Sequence, residues 1–329
     1  MADSDPACSS GDGPIDLSDL WVLTDGKIGD DVQCIAVARA ISGNYEKRIV
    51  TPRAPWRFLA PWGPVDPREA PGARNGPLQG RPPAIVVASG RRAIPHALAL
   101  KRASDQHTKI VIMKDPRFGR SAADVLWAPA HDRLTGPNVI STLTSPHGLS
   151  ENIAASRTAP ASAIAGLPKP FLGVVLGGPS GGARYDVQAA NELAKRISAA
   201  GANFSSIAIT PSRRTPAGFM QAMGEMVKHQ HVFLWNGEGN NPYIDILGNA
   251  ESLVVAGDSH NMVSEAMASS AGVYVWRPAG LARKLSWFVD QLERKGHTRP
   301  FSDQAPSFER EPMDATPEIA AEIRRRLLR

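Results

Sequence analysis

The chain has 329 residues, which corresponds to about two domains of average size. Hydrophobic residues make up 42% and charged residues 21% of the sequence, a composition that is typical of globular proteins and excludes a wholly disordered chain. No apolar stretch approaches the roughly 20 residues that a membrane-spanning helix needs, and the mean hydropathy is -0.22. Two cysteines, Cys8 and Cys34, are too few for a disulfide scaffold.

The net charge of +5 is unevenly distributed. Residues 1–31 contain eight Asp and one Lys, whereas residues 46–133 contain sixteen Lys or Arg and seven Asp or Glu. The second segment indicates an acidic partner such as a phosphate, an anionic lipid or a nucleic acid, with a solvated basic face as the alternative. The start of the chain lacks the basic and apolar regions of a secretory signal, so we expect a cytoplasmic protein.

An α/β pattern follows a small, acidic segment, residues 1–17, that we expect to be disordered. The sequence predicts a buried strand at 20–24, a glycine-containing loop at 25–31 and a helix at 32–41. Further strands are predicted at 84–88, 109–113, 124–127 and 138–142. Near-continuous apolar strands separated by helices favour a parallel sheet that is covered on both faces. We assign this pattern to a first Rossmann-like domain over residues 18–157.

A second domain, residues 171–311, is predicted after a linker at 158–170. Its strands are expected at 171–176, 206–210, 231–235, 252–256 and 272–276. Its helices are expected at 186–199, 216–227, 242–247, 262–269 and 279–294. A last amphipathic helix is expected within residues 312–329, capped by Thr316, Pro317 and Glu318. The predicted fold class is α/β, with two Rossmann-like domains whose parallel sheets face a central cleft.

The glycine-rich segment 177–184 (GGPSGGAR) follows a predicted strand and is expected to open a helix. Glycines let backbone N–H groups approach an anion, and a helix N-terminus adds about half a positive charge. Ser180 and Arg184 could add a hydroxyl group and a full charge. An anion site is therefore favoured over a tight turn that binds nothing. The spacing fits neither a Walker A loop nor a dinucleotide-binding fingerprint.

Polar groups also follow the next predicted strands. Arg213 and Arg214, in TPSRRT, suit a diphosphate because guanidinium groups pair bidentately with phosphate oxygens; solvated surface arginines are the alternative. Asn236 lies in a loop that could read a base. In the segment 257–266 (GDSHNMVSEA), Glu265 stands near the start of a helix. Its carboxylate could accept from both hydroxyls of a ribose or could serve as a helix-dipole partner.

These motifs resemble those of known families. The segments GGPSGGAR, TPSRRT and GDSHNMVSEAMASSAGVYVW are similar to the C-terminal domain of GT-B glycosyltransferases, with the murein glycosyltransferase as the nearest analogue. The N-terminal WVLTDGKIGDDVQC, with KDPR and PAHD, resembles the mitochondrial-fission "elongated mitochondria" family, whose bacterial members are treated as GT-B glycosyltransferases. The chain lacks the glycine-rich N-terminal loop with histidine of the murein enzyme, so donor and acceptor identity do not transfer.

The resemblance implies that the first domain, residues 18–157, binds the acceptor of a transfer reaction and that the second domain binds a nucleotide-sugar donor. Gly177, Gly178, Ser180 and Arg213 would contact the donor diphosphate, and Glu265 would contact the ribose. The complete set of predicted donor-binding residues is Gly177, Gly178, Ser180, Arg184, Arg213, Arg214, Asn236, Ser259, Asn261, Met262, Ser264 and Glu265.

A base is needed near the acceptor hydroxyl, and a carboxylate in the loop after the first strand can serve. Asp25 is the leading candidate and His131 the reserve, with a structural role as the alternative for each. The predicted acceptor-binding residues are Gly26, Lys27, Gly29, Arg91, Lys114 and Arg117. Their charges fit an anionic glycolipid or lipid-linked acceptor better than a neutral one.

The segment 54–62 (APWRFLAPW) combines aromatic residues with Arg and Pro, so we expect no regular core strand or helix there. We hypothesise that residues 56–62 form a loop that contacts a membrane interface, since Trp prefers that depth and Arg favours anionic lipid. A loop folded over the core is the alternative.

The sequence therefore predicts a glycosyltransferase that moves a sugar from a nucleotide-sugar donor to a cell-envelope glycolipid or lipopolysaccharide acceptor, in contact with the inner membrane. No metal or other cofactor is expected, because the eight histidines show no HExxH spacing, and nucleic acid is not an expected partner. Two alternatives stay open. One is a non-catalytic scaffold that recruits a protein partner at a membrane, and the other is a nucleotide-sugar epimerase.

Overall fold

The computed structural model describes residues 15–160 and 163–328. The predicted disordered tail lies outside these residues except for 15–17, where Ile15 and Leu17 pack against the core of the first domain. No helix in the described ranges is both long and apolar enough to cross a membrane.

The first domain is built on a parallel sheet of six strands in the order β2-β1-β3-β4-β5-β6. Its strands are β1 (Leu20–Thr24), β2 (Glu46–Ile49), β3 (Ile85–Ala88), β4 (Lys109–Met113), β5 (Val125–Pro129) and β6 (Val139–Thr142). Its helices are α1 (Ile28–Ser42), α2 (Trp56–Leu59), α3 (Ala93–Ala103) and α4 (Ser150–Ser156). Sequence analysis missed α3 and also β2, whose polar residues lie at an exposed sheet edge and lack the apolar run of a buried strand.

The second domain repeats this architecture with the strand order β12-β11-β10-β7-β8-β9, again parallel throughout. Its strands are β7 (Phe171–Leu176), β8 (Ser206–Pro211), β9 (Val232–Leu234), β10 (Ser252–Ala256), β11 (Gly272–Trp276) and β12 (Arg299–Pro300). Its helices are α5 (Val187–Gly201), α6 (Ala217–Met226), α7 (Tyr243–Asn249), α8 (His260–Ala266) and α9 (Arg283–Arg294).

Each sheet is covered by apolar side chains on both faces. In β1, Leu20 and Val22 belong to the cluster on one face, whereas Trp21 and Leu23 belong to the cluster on the other. This division follows from the two-residue period of a strand, which sends successive side chains to opposite faces. The near-continuous apolar strands therefore fold as the sequence predicted.

The last helix, α10 (Thr316–Leu327), returns from the second domain to the first. Ile319 and Ile323 are fully buried in the apolar cluster between the first sheet and α1. Arg324 Nε donates to the carbonyl of Ile41 in α1 at 2.9 Å. The predicted cap at Thr316 is wrong. Thr316 does not cap α10, because its hydroxyl oxygen accepts from the backbone N–H of His147 at 3.1 Å, and Asp314 Oδ1 accepts from the Thr316 N–H at 2.8 Å.

Three other helices differ from their predicted bounds by three residues or more. Helix α1 begins at Ile28, inside the predicted loop at 25–31, with Lys27 at its N-cap. Helix α9 begins four residues later than expected, because Gly280 adopts φ +80° and interrupts the helical backbone. Helix α8 begins and ends earlier, because Ser259 caps its start and the Arg310 guanidinium binds the carbonyls at its end, including that of Ala266 at 3.0 Å. Within the predicted linker, Ile164 is 2% exposed and packs in the second-domain core.

Both sheets reverse their strand order beside their first strand, at β1/β3 in one domain and at β7/β10 in the other. In open parallel sheets, ligands bind beyond the carboxyl ends of the strands at such a switch point. The fold thus singles out two crevices. One lies between residues 25–27 and 89–92, and the other between residues 177–186 and 257–259.

Candidate active site

A buried carboxylate, Asp258, occupies the second-domain switch point. Its side chain is 0% exposed and accepts three hydrogen bonds. The donors are the Gly178 backbone N–H at 3.1 Å, Arg214 Nη2 at 3.0 Å and the Tyr185 hydroxyl. Burial beside this carboxylate raises the pKa of Tyr185, so the phenol stays protonated and donates. Asp258 therefore joins the loops that follow β7, β8 and β10.

Glycine is required where these loops meet. A Cβ on Gly177 would lie 1.9 Å from Asp258 Oδ1, and a Cβ on Gly178 would lie 2.3 Å from the Arg214 carbonyl oxygen. The Thr215 hydroxyl also donates to the Gly177 carbonyl. The glycine pair thus allows close packing of one loop against two others, and the Gly178 N–H is already hydrogen-bonded.

Segment 177–184 leads into a helix as predicted, and the helix begins within one residue of the expected position. Helix α5 begins at Val187, and Asp186 caps it by accepting from the Ala189 N–H at 2.8 Å. Between the segment and the helix, Tyr185 turns inward and packs against Phe219 at a ring-centroid distance of 5.0 Å. The positive end of α5 is therefore next to its own Asp186 carboxylate, and Arg184 stays exposed.

A cavity of about 880 Å³ opens beside this network, at the ends of β7 and β8. Four of the predicted donor-binding residues line it: Arg213, Asn236, Met262 and Glu265. Trp235 and Tyr243 form part of its wall. Arg213 is exposed and is the sole basic residue in the lining of this cavity. We call it the second-domain cavity.

The remaining predicted donor residues have other partners or lie outside the lining. Arg214 pairs with Asp258, and Ser259 caps the Met262 N–H at 3.4 Å. Asn261 Oδ1 accepts from Gln33 Nε2 of the first domain at 2.9 Å. The Ser264 hydroxyl accepts from the Ser145 N–H at 2.9 Å. Ser180 and Arg184 stand on the loop between β7 and α5, beyond the lining of the cavity.

Glu265 and Tyr243 form a hydrogen-bonded pair in the cavity wall. The Tyr243 hydroxyl donates to Glu265 Oε2. Burial raises the pKa of Glu265 to about 7, and the bond from Tyr243 partly opposes this shift. Burial and the neighbouring carboxylate raise the pKa of Tyr243, which keeps the phenol a donor. Sequence analysis missed Tyr243; its place directly after the predicted loop and Pro242, at the start of a helix, was the available signal.

A second crevice, of about 460 Å³, lies at the switch point of the first domain. The predicted acceptor residues Lys27, Arg91, Lys114 and Arg117 all line it, together with Gly90 and Trp62. They come from the loops that follow β1, β3 and β4, whose carboxyl ends lie side by side. We call it the first-domain pocket.

The predicted acceptor glycines lie beside the pocket lining. Gly26 adopts φ +79°, and a Cβ there would lie 3.6 Å from Ile49 Cγ2. Gly29 faces the second domain, because a Cβ on it would lie 3.4 Å from Asn261 Nδ2. The loop after β1 therefore borders the first-domain pocket, and the first turn of α1 borders the domain interface.

Asp25, the predicted base, lies beneath the edge of this pocket. Its side chain is 1% exposed, and its Oδ2 accepts from Lys27 Nζ at 2.7 Å. Its Oδ1 is buried with no hydrogen-bond partner among the described residues. Oδ1 packs so close to Gly90 that a Cβ on Gly90 would lie 2.7 Å from it. Lys27 must therefore move before this carboxylate can meet an acceptor hydroxyl.

His131, the reserve base, is part of the domain interface. Its side chain is 4% exposed, and its ring lies 4.6 Å from that of His260, which in turn lies 4.3 Å from Phe288. Burial lowers the pKa of His131 and lowers that of His260 to about 3. Neutral, enclosed rings of this kind pack as apolar groups. His131 lines neither of the two crevices.

Within residues 15–160 and 163–328, no three His, Cys, Asp or Glu side chains are grouped so that they could hold a metal ion. The predicted absence of a metal remains a prediction.

The two parallel sheets and their switch points define a GT-B-like α/β fold, as predicted. The chain is similar to UDP-GlcNAc 2-epimerase from Neisseria meningitidis bound to UDP-GlcNAc, with a TM-score of 0.53 and 11% identity over 94% of this chain and 99% of that one. It is also similar to the glycosyltransferase SnogD from Streptomyces nogalater, with a TM-score of 0.51 and 14% identity over 94% of each chain. At these identities the likeness concerns the fold alone.

The chain belongs to the Mitochondrial fission ELM1 family, whose sequence pattern matches residues 28–327. It is 29% identical over 282 residues to Mitochondrial fission protein ELM1 from Arabidopsis thaliana. That match covers 77% of this chain and spans 65% of the plant protein's length. The predicted family is confirmed.

Proposed function

We propose that this protein is a cytoplasmic glycosyltransferase that moves a sugar from a nucleotide-sugar donor to a hydroxyl group of an anionic acceptor. The acceptor oxygen would form a bond to the anomeric carbon while the bond from that carbon to the diphosphate breaks. The hydroxyl proton would pass to a base, and the nucleoside diphosphate would leave. The reaction needs no metal if basic side chains stabilise the diphosphate.

The observation that carries the proposal is the chemistry of the second-domain cavity. Arg213 offers a guanidinium group to a diphosphate, and Glu265 offers carboxylate oxygens to ribose hydroxyls. Trp235 and Asn236 supply a flat apolar surface and an amide for a base. One nucleoside diphosphate needs these three kinds of contact, and the cavity volume of about 880 Å³ is ample for it.

The fold comparison supports the same ligand class. One solved structure with this fold holds UDP-GlcNAc, and another is a glycosyltransferase. We infer a nucleotide-sugar for this chain as well, with the diphosphate next to Arg213.

Asp25 is the proposed base, acting from the first domain across the cleft. Its Oδ2 is held by Lys27, whose side chain is 65% exposed and free to swing outward. An anionic acceptor in the first-domain pocket would attract Lys27 and release the carboxylate. A cell-envelope glycolipid or lipopolysaccharide has the required hydroxyls and negative charge.

Two other functions have a specific observation in their favour. The fold likeness to an epimerase fits a nucleotide-sugar epimerase. Family membership and the shielded Asp25 carboxylate fit a scaffold that recruits a protein partner at a membrane without catalysis.

Isothermal titration with uridine, guanosine, adenosine, cytidine and thymidine diphosphates tests the proposal. We expect one of them to bind, and Arg213→Gln to weaken its binding by about 2 kcal/mol, roughly thirtyfold, because a charged hydrogen-bonding group is lost. Arg196→Gln, on the exposed face of α5, is the matched control and should leave affinity unchanged. If the wild-type protein binds none of the five nucleoside diphosphates, the result would favour the non-catalytic scaffold.

Product analysis then separates the two enzyme functions. With a labelled donor and a lipid extract from the cell envelope, transfer predicts label in the lipid fraction. Label that stays on the nucleotide with a changed sugar would identify an epimerase.

A further inference from the structure

The first-domain pocket carries positive charge without full compensation. Lys27 pairs with Asp25 at 2.7 Å, and Lys114 pairs with Asp30 at 2.6 Å. Arg91 and Arg117 form no salt bridge among the described residues. Arg91 donates to the Arg57 carbonyl at 3.3 Å, and the Asp115 carboxylate near Arg117 is paired with Arg120 at 2.6 Å. Two guanidinium groups without an ion-pair partner therefore line one small crevice.

Large apolar side chains are exposed around the same crevice. Phe58 is 63%, Leu59 45%, Trp62 64% and Phe118 44% exposed. Trp62 lines the pocket itself, and Phe118 follows Arg117 directly. We call these four residues the aromatic face, after the three of them that are aromatic. Exposed apolar groups clustered in this way mark an interaction surface.

The segment 54–62 holds no core strand or helix, as expected, and its exposed part contains one helical turn. Residues Trp56–Leu59 form a single helical turn, α2, with no residue buried in the core. Cis peptide bonds precede Pro55 and Pro61 on either side of it. The turn presents Phe58 and Leu59 outward, and the Arg57 guanidinium lies 4.5 Å from the Phe58 ring.

We propose that the aromatic face docks on an anionic phospholipid bilayer and that the first-domain pocket then holds the phosphate of a membrane lipid. Tryptophan and phenylalanine side chains favour the boundary between headgroups and acyl chains. Arginines beside them are attracted to the negative surface and pair bidentately with a phosphate. The proposal rests on the proposed function, because it identifies the surface that would present the acceptor.

A lipid phosphate fits this crevice better than a soluble one. A soluble phosphate would use Arg91 and Arg117 alone, whereas the exposed Trp62 in the same wall would remain in water. A lipid satisfies both features at once, with its headgroup on the arginines and its glycerol and chains against the aromatic face.

Vesicle flotation tests the inference with the full chain. The vesicles are phosphatidylcholine alone, phosphatidylcholine with phosphatidylglycerol, and phosphatidylcholine with phosphatidic acid. We expect the protein to float with both anionic vesicles, more strongly with phosphatidic acid, whose phosphomonoester fits two guanidinium groups. Uncharged vesicles should leave it in the aqueous fraction.

Two variants and two matched controls separate the contributions. Phe58→Ser with Trp62→Ser should lower vesicle affinity roughly tenfold, because two apolar side chains no longer enter the interface. Arg91→Gln with Arg117→Gln should lower it about fivefold for each charge removed. Val187→Ser, which changes an apolar residue that is 56% exposed in the second domain, and Arg196→Gln should change nothing.

Each contrary result overturns the inference. Equal flotation of all variants, binding to uncharged vesicles alone, or no flotation of the wild-type protein would contradict it. Binding of soluble glycerol 3-phosphate through Arg91 and Arg117 without any vesicle binding would also contradict it. Nucleotide titration on the same preparations distinguishes the two proposals. If the protein binds a nucleoside diphosphate but not vesicles, the proposed function stands and the membrane-docking proposal is wrong.

Discussion

Glu265 shows how one buried acid links the site to pH. Burial raises the pKa of Glu265 in the folded protein to about 7, whereas in the unfolded chain the same carboxyl group ionises near its ordinary pKa of 4.5. Between these two values the folded state binds more protons than the unfolded state, so this residue's contribution to stability falls as pH rises through that window. The ionised carboxylate is, however, the form that accepts best from two ribose hydroxyls.

We therefore predict that nucleotide affinity rises between about pH 6 and 8 in the wild-type protein and that Glu265→Gln removes the part of this rise that ionisation of the nucleotide itself does not cause. Isothermal titration at several pH values measures it. The nucleotide's own titration cancels, because both proteins meet the same ligand. Glu265→Gln should also flatten the decline of Tm with pH over the window from 4.5 to about 7. An unchanged pH profile in the variant would show that Glu265 does not contact the ribose.

Tyr243→Phe provides the matched comparison. This variant lacks the Tyr243 hydroxyl group and therefore the hydrogen bond that lowers the pKa of Glu265. The rise in nucleotide affinity should then move to higher pH. A shift in the opposite direction would contradict the assigned role of Tyr243.

The two neighbouring arginines have different roles, although the sequence presents them alike. Arg214 is held by Asp258 at 3.0 Å and donates from Nη1 to the Gly178 carbonyl at 3.1 Å. Arg213 lines the second-domain cavity. The charge available to a diphosphate therefore comes chiefly from Arg213, and Arg214 serves to hold two loops together.

Among the structural elements, the loops after β7, β8 and β10 act as one unit because all three meet at Asp258. The three groups that face this carboxylate are all donors, and an amide in its place would turn its NH₂ toward at least one of them. Without the carboxylate oxygens of Asp258, at least one of these donors would have no hydrogen-bond partner.

We predict that Asp258→Asn lowers the free energy of unfolding by about 2 kcal/mol, because a buried carboxylate that accepts three hydrogen bonds is replaced while its partner Arg214 is 43% exposed and stays solvated. It should also weaken binding of a nucleoside diphosphate more than binding of the bare nucleoside, because the loops that position Arg213 are disturbed while the base contacts remain. Denaturant titration and calorimetry measure the two effects.

Asp290→Asn is the control for this experiment. Asp290 pairs with Arg277 at the surface and is 40% exposed, so the change should cost less than about 1 kcal/mol. If Asp258→Asn reduced nucleoside and nucleoside diphosphate binding equally, Asp258 would have no specific role in positioning the phosphate loops.

Helix α8 is the element that the two domains share. Three of its residues contact the first domain: Asn261 through Gln33, Ser264 through Ser145 and His260 through the Leu143 carbonyl. The same helix carries Met262 and Glu265 into the second-domain cavity. Its position is therefore set by both domains, through α1 and the segment that follows β6. The proposed donor contacts of Met262 and Glu265 would depend on this interface.

At the scale of the whole molecule, sequence reasoning predicted the architecture because its signals are local. Buried strands such as β1 and β7 are short apolar runs, and each run ends at a loop with turn residues. The edge strand β2 escaped prediction because its EKRI residues are largely exposed. An edge strand such as β2 forms because its backbone pairs with the neighbouring strand β1. This pairing does not require apolar side chains, so the composition of the strand does not reveal it.

The candidate sites were predicted less completely, for a related reason. Strand-end loops could be located, and the four basic residues of the first-domain pocket do meet. The partners of those loops could not be found from the sequence. Asp258 reaches Gly178 across 80 residues of chain, and Gln33 reaches Asn261 across 228. Such contacts are set by sheet order, and that order leaves no local pattern.

The central claim is that the second-domain cavity holds a nucleoside diphosphate. A crystal structure of the full chain with the diphosphate selected by titration tests it most directly. We predict the diphosphate within about 3 Å of the Arg213 guanidinium and the ribose hydroxyls on Glu265. A nucleotide bound instead in the first-domain pocket, against Arg91 and Arg117, would contradict the account.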